Sequence, residues 1–163
     1  MNWMDVPSPV GTLRLVGEGE YVTGIYFPDG RHLPQNWGEP ARLPVLTETE
    51  RWLASYFAGQ QPEVLLPVRL DGTAFQRAVW GILSDIPYGR TMTYGQIAKQ
   101  LERRWGRPVA AQAVGQAVGR NPVSILVPCH RILGANNTLT GYGGGLWRKE
   151  FLLRLENISY RNN

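Results

Sequence analysis

The sequence predicts an α+β chain in two parts: a small N-terminal α/β domain with an antiparallel sheet, residues 1–70, then a mainly helical domain, residues 71–163. Three observations predict it. Residues 12–27, TLRLVGEGEYVTGIYF, alternate apolar and polar side chains around a Gly-Glu-Gly-Glu break, the pattern of two strands and a tight turn. A single helical stretch follows at Thr47–Phe57. Beyond Asp71-Gly72-Thr73 the apolar residues recur mainly at helical spacing.

Taken in order, residues 28–46 are rich in Pro, Gly and charge and read as loop. Thr47 is the expected N-cap of the first helix, with Glu50 three residues on, and Gly59 and Pro62 end that helix. PEVLLPVRL, residues 62–70, is extended and leads to the boundary at 71–73. Phe75, Val79, Ile82 and Leu83 form one apolar stripe, which Pro87-Tyr88-Gly89 stops. Thr93 and Gln96 have capping-box spacing, so the next helix should begin at Tyr94. ERRWGRP then reads as a basic connector, with Pro108 in the first turn of another short helix, VAAQAVGQAVG, and WRKEFLLRLE reads as the closing helix. Two short helices joined by a turn fit a helix-turn-helix, and they fit equally an αα-hairpin packed in a core.

Composition narrows the function classes. With 43% apolar residues and six tryptophans the chain can build a core. One cysteine excludes an internal disulfide and a multi-cysteine zinc site, and it suits a reducing, cytoplasmic setting. MNWMDVPSPVG does not read as a signal peptide, and no run approaches the ~20 apolar residues of a membrane span. A net charge of +4 suits a polyanionic partner without identifying one. In the helix VAAQAVGQAVG, positions 110, 111, 113, 114, 115, 117 and 118 are all Ala, Val or Gly. Such a surface permits tight packing in a core, or entry into a groove as narrow as the roughly 6 Å minor groove of DNA. Arg103, Arg104 and Arg107 beside it are candidate phosphate contacts, or simply a solvated turn.

The lone cysteine closes the apolar run NPVSILVPCHRI. His130 and Arg131 supply positive charge that favours a thiolate, and Pro128 stiffens the backbone before it. Adjacent residues of an extended segment point to opposite sides, so His130 should reach Cys129 through a water rather than directly. The histidine needs an acceptor for its other nitrogen, and the late carboxylates are Glu150 and Glu156. TGYGGG, residues 140–145, offers bare backbone around Tyr142 for a flat ligand. A Cys-His-carboxylate set serves a thiol hydrolase, an acyl transferase or an alkyl acceptor, and the residues alone do not choose.

PCHRI after NPVSILV, IPYGRTMTYGQIA before it and LTGYGGGLWRKEFLLRLE after it resemble the O6-alkylguanine-DNA alkyltransferase family over residues 72–157. SPVGTLRLV, residues 8–16, resembles that family's opening strand. The resemblance implies a ribonuclease-H-like N-terminal domain and a winged helix-turn-helix-like C-terminal one. It implies irreversible, stoichiometric transfer of an alkyl group from O6-alkylguanine, less readily O4-alkylthymine, to Cys129, after the base is flipped out of the duplex. His130 would act as base through water, Glu156 would orient it, and Asn121 would be a hinge. Tyr94 would press on the phosphate of the flipped nucleotide and donate a proton toward the purine. Ile132, Tyr142, Gly143 and Gly144 would line the base pocket. Ala110, Ala111, Gln112, Gly115 and Arg131, with the three connector arginines, would meet double-stranded DNA. No cofactor or metal is implied, and the expected state is a monomer that could line up in several copies on DNA. One departure stands out: the family's arginine finger in Ala-Arg-Ala-Val-Gly is replaced by Gln112, which can hydrogen-bond an orphaned base but carries no charge.

Overall fold

The computed structural model describes residues 1–162. The chain forms two compact units, Met1–Asp71 with Pro122–Ser124, and Gly72–Asn121 with Ile125 onward. The arrangement is α+β, as the sequence predicts.

The first unit is built on a sheet of order β3-β2-β1-β4, with β1 at Asn2–Val6, β2 at Leu13–Glu18, β3 at Tyr21–Tyr26 and β4 at Glu39–Pro40. The β2–β3 hairpin falls where the alternation places it, and Gly19 takes the left-handed turn conformation at φ +60°. The opening strand lies earlier than expected. Ser8–Gly11 is a turn, closed by Gly11 N–H to the Ser8 carbonyl at 3.0 Å, and the strand antiparallel to β2 is the short β1. The loop after β3 holds β4, which pairs parallel with β1, so the sheet is not antiparallel throughout. Helix α1, Pro44–Phe57, starts before the expected Thr47 cap. Leu43 is its N-cap and Pro44 opens it, while the Thr47 hydroxyl donates back to the Leu43 carbonyl at 3.4 Å. Proline's fixed φ suits a first helical turn, and here it overrides the capping pattern. Val45, Leu46, Leu53 and Tyr56 bury one face of α1. Gly17 lies so close under it that an added Cβ would stand 3.1 Å from a Leu46 methyl.

Two outlying segments complete this unit by pairing with β3. Val22 N–H donates to the Pro67 carbonyl at 2.8 Å, and Ile25 N–H to the Pro122 carbonyl at 2.9 Å.

The second unit contains α2 (Ala74–Ser84), β5 (Met92–Thr93), α3 (Tyr94–Trp105), α4 (Ala111–Gly119), β6 (Ile132–Leu133) and α5 (Leu146–Leu155). Both α2 and α3 open with reciprocal capping boxes, Thr73 with Gln76 and Thr93 with Gln96. Trp80, Leu83, Ile97, Leu101, Val114 and Ala117 form the core of the α2–α3–α4 cluster, and Trp80 Nε1 donates to the Ala117 carbonyl at 2.8 Å. The basic connector is shorter than the sequence suggests. Arg103, Arg104 and Trp105 form the last turn of α3, which ends at the left-handed Gly106. Pro108 lies in the remaining linker and α4 begins at Ala111, with the Val109 N–H donating to Glu102 Oε1 at 3.0 Å rather than entering the helix. Trp105 packs on Phe75 at 5.9 Å between ring centroids, with Arg107 over its ring at 4.9 Å.

The α4 surface divides into a buried and an exposed part. Val114, Ala117 and Val118 are buried against α2 and α3, whereas Ala110, Ala111, Gln112 and Gln116 are exposed. No helix of the described residues is long and apolar enough to cross a membrane.

Candidate active site

Cys129 sits at the exit of a tight turn. Pro128, at φ −82° and ψ 68°, occupies the centre of an inverse γ-turn in which Cys129 N–H donates to the Val127 carbonyl at 2.8 Å. The Val127 carbonyl also accepts from Asn121 Nδ2 at 2.7 Å. Asn121 comes just past the Arg120 C-cap of α4, so one side chain ties the end of that helix to the turn carrying the cysteine. Upstream, the buried Ile125 adopts φ +73°, a costly conformation for a β-branched residue.

Cys129–Arg131 form a 3₁₀ turn, not the extended segment expected. Successive side chains of such a turn diverge by about 120°. His130 and Arg131 both reach Glu156, while Cys129 faces Asn121, Tyr142 and Lys149. His130 Nε2 lies 2.6 Å from Glu156 Oε2, and both residues are buried. Arg131 donates from Nε to Glu156 Oε1 at 2.8 Å, from Nη2 to Oε2 at 3.1 Å, and from Nη1 to the Ile86 carbonyl at 2.7 Å. Gly89 N–H adds a donor to Oε1 at 2.9 Å.

Arg131, expected to meet DNA and to favour the thiolate, is 8% exposed, and its guanidinium is hydrogen-bonded to Glu156 and the Ile86 carbonyl. Burial would push the Glu156 carboxyl up, but the hydrogen bonds and charges of His130 and Arg131 prevail and bring it down to about 2. Burial holds His130 below its ordinary value, against the pull of Glu156. A neutral imidazole facing an ionised carboxylate donates from Nε2, so Nδ1 carries the lone pair. Burial also pushes the Cys129 thiol up, and Asn121, Lys149 and Tyr142 pull it back. The resting sulfur is therefore a thiol whose proton must be removed.

Lys149 is not among the expected site residues, yet it is 1% exposed and its charge acts on Cys129. Burial lowers it to about 8. A signal existed: Lys149, Leu152, Leu153 and Glu156 share the i, i+3, i+4, i+7 face of α5, which places two charged residues on its buried stripe. Of the two late carboxylates, Glu150 lies elsewhere and accepts from the Tyr160 hydroxyl at 3.1 Å.

Tyr94 opens α3 half-buried, hydrogen-bonded to Thr140 at 3.0 Å, and its ring carbons lie 3.7 Å from where a Gly115 side chain would begin. Gly143 is exposed, and Gly144 is buried with its carbonyl accepting from Arg148 Nη1 at 2.9 Å. Ile132 points its side chain into the core and directs its N–H to the Cys129 carbonyl. Arg103, Arg104 and Arg107 are exposed on the last turn of α3 and the linker. Among the described residues no group of three or more His, Cys, Asp or Glu could hold a metal ion.

Comparison with known proteins decides the family. Residues 74–158 match the family model described as 6-O-methylguanine DNA methyltransferase, DNA binding domain. A methylated-DNA–protein-cysteine methyltransferase of Haemophilus influenzae is 45% identical over 156 residues, covering 94% of this chain and 85% of that protein. The chain belongs to the methylated-DNA–protein-cysteine methyltransferase family. Another methyltransferase of that name, from Methanosarcina acetivorans, is also 45% identical, over 91% of this chain and 94% of the relative. The crystal structure of OGT from Mycobacterium tuberculosis in complex with DNA superposes with a TM-score of 0.82 at 41% identity, covering 96% of this chain and 92% of that one.

Proposed function

We infer that the protein repairs DNA by direct reversal, moving an alkyl group from O6 of guanine, and less readily O4 of thymine, irreversibly onto Cys129. The observation that carries this reading is the chain's only cysteine, buried beside Asn121, Tyr142 and Lys149, with His130 of the same turn 2.6 Å from Glu156. The methyltransferase names of the relatives and the DNA in the mycobacterial complex support it. His130 Nδ1 takes the thiol proton through a water, and Glu156 holds the ring and balances the charge it gains. The sulfur then attacks the alkyl carbon. The S–C bond forms, the C–O6 bond breaks, and the electron pair passes to the purine, which receives a proton from Tyr94. No step regenerates the thiol, so each molecule acts once.

The C-terminal domain, from about residue 71, carries both the chemistry and the DNA contacts, and the exposed face of α4 enters the minor groove. Ala110, Ala111 and Gly115 let its backbone approach, and Gln112 fills the gap left by the flipped base. Arg103, Arg104 and Arg107 supply phosphate contacts in place of charge at position 112. Tyr142, Gly143 and Gly144 border the base. The cytoplasm, a reducing compartment, keeps Cys129 as a thiol.

The test mixes the protein with duplex DNA bearing radiolabelled O6-methylguanine and locates the label by peptide mass spectrometry. One equivalent on Cys129, with a Cys129→Ser variant that binds DNA but takes no label, is the expected result. Binding without transfer would reduce the protein to a lesion reader. Turnover beyond one equivalent would point to a hydrolase.

A further inference from the structure

Beside the cysteine three polar groups stand in line. Lys149 Nζ lies 3.1 Å from Thr140 Oγ1 and 3.4 Å from the Gly141 carbonyl, and Thr140 Oγ1 lies 3.0 Å from the Tyr94 hydroxyl. Chemistry fixes one end of this line: an ammonium only donates, so Thr140 Oγ1 accepts from Lys149. Either hydroxyl can donate in the Thr140–Tyr94 bond, because Thr140 Oγ1 keeps a second lone pair. Accepting from a cation polarises the threonine O–H and makes it the better donor, which favours its hydrogen on the Tyr94 oxygen and leaves the Tyr94 hydrogen to point away from the line.

Thr140 is held in this orientation by its own shape. Gly134 leaves room for its methyl group: a Cβ there would stand 2.9 Å from Thr140 Cγ2. A β-branched side chain with its methyl seated has little freedom at χ1, so its hydroxyl stays between Tyr94 and Lys149.

We propose that Thr140 is a positioning residue for alkyl transfer, coupling the Lys149 ammonium to Tyr94 so that the phenolic hydrogen faces the flipped purine. The proposal rests on the reading above, in which Tyr94 protonates the departing base. As the S–C bond forms and the C–O6 bond breaks, the purine gains an electron pair and takes the Tyr94 proton. The phenolate left behind accepts the Thr140 O–H, with the Lys149 charge behind it. Burial raises the Tyr94 phenol above its ordinary value while the Thr140 hydrogen bond lowers it, which agrees with Thr140 easing loss of that proton.

The experiment compares two leaving groups. Single-turnover methylation of Cys129 is measured with O6-methylguanine duplex and with iodomethane, whose iodide departs without a proton, for the wild type, Thr140→Val and Thr140→Ser. Thr140→Val should slow transfer from DNA by about tenfold or more, a part of the roughly 10²–10⁴-fold that a positioned acid contributes, and leave the iodomethane rate unchanged. Thr140→Ser should restore most of the DNA rate. An unchanged DNA rate in Thr140→Val, an equal fall in both reactions, or no rescue by serine would overturn the proposal while leaving the repair function standing. A wild type that iodomethane alkylates but that takes nothing from DNA would end both.

Discussion

Replacing Lys149 by methionine should make the fold more stable and the protein a poorer alkyl acceptor. The ammonium is 1% exposed and its pKa falls from 10.5 to about 8. At 1.36 kcal/mol per pKa unit, keeping it charged below pH 8 costs the fold about 3 kcal/mol. Methionine has similar length and no charge, but it removes the hydrogen bonds to Thr140 and Gly141, which return about 1 kcal/mol. A net gain of about 2 kcal/mol at pH 7 remains. The sign with pH follows from the lowered value: the unfolded chain holds the lysine proton up to pH 10.5, the folded chain only to about 8. The cost is therefore complete below pH 8 and disappears by pH 10.5. Urea unfolding of Cys129→Ser and Cys129→Ser/Lys149→Met between pH 7 and 10.5 measures this without thiol titration. A double variant less stable at pH 7, or a gap that does not narrow as pH rises, would refute the reasoning. In the Cys129 background, the methionine should slow transfer, since the thiolate loses its nearby cation.

Glu156, lowered from 4.5 to about 2, contributes about 3 kcal/mol that is present above pH 4.5 and lost as pH falls toward 2. In Glu156→Gln, acid urea titrations should lose that slope and transfer should weaken. Arg131→Met removes two of the donors on a buried carboxylate and should cost about 3–5 kcal/mol in denaturant unfolding. Its salt dependence of DNA binding should stay that of the wild type; a shallower dependence would return Arg131 to the interface. Changing Arg103, Arg104 and Arg107 together to Gln should flatten the plot of log affinity against log salt by about 2–3, from roughly 0.9 for each phosphate that is no longer neutralised. An unchanged slope would remove these arginines from the interface.

Legibility followed the range of the interaction concerned. The Thr93–Gln96 capping box and the β2–β3 hairpin depend on residues a few positions apart, and both stand where the pattern puts them. The scarcity of carboxylates after His130 narrowed its partner to Glu150 or Glu156, and the family resemblance pointed to Glu156, whose pairing with His130 spans 26 positions. The start of α1 turned on competition between two local signals, Pro44 and Thr47, that patterning does not rank. The end of α3 stands at the left-handed Gly106, a local stop signal inside the stretch read as connector, with Trp105 of the last turn packed on Phe75. Arg131 beside a cysteine reads as a source of charge. Only the 3₁₀ turn, which swings neighbouring side chains apart, reveals that it belongs to the carboxylate. Lys149 and Thr140 were hidden for the same reason: their meaning lies in what the loop after β6 folds against.

The strip Pro122–Ser124 bears on any attempt to divide the molecule. Its backbone pairs with Ile25, so the sheet that begins at the first residues of the chain is finished by residues read out only after α4 has been made. A polypeptide cut after Asp71 would leave Ile25 without its partner carbonyl and amide, and nascent β3 must wait for more than half the chain to emerge before its ladder closes. Limited proteolysis and separate expression should accordingly release no self-sufficient N-terminal fragment, however independent its helix and strands look in outline.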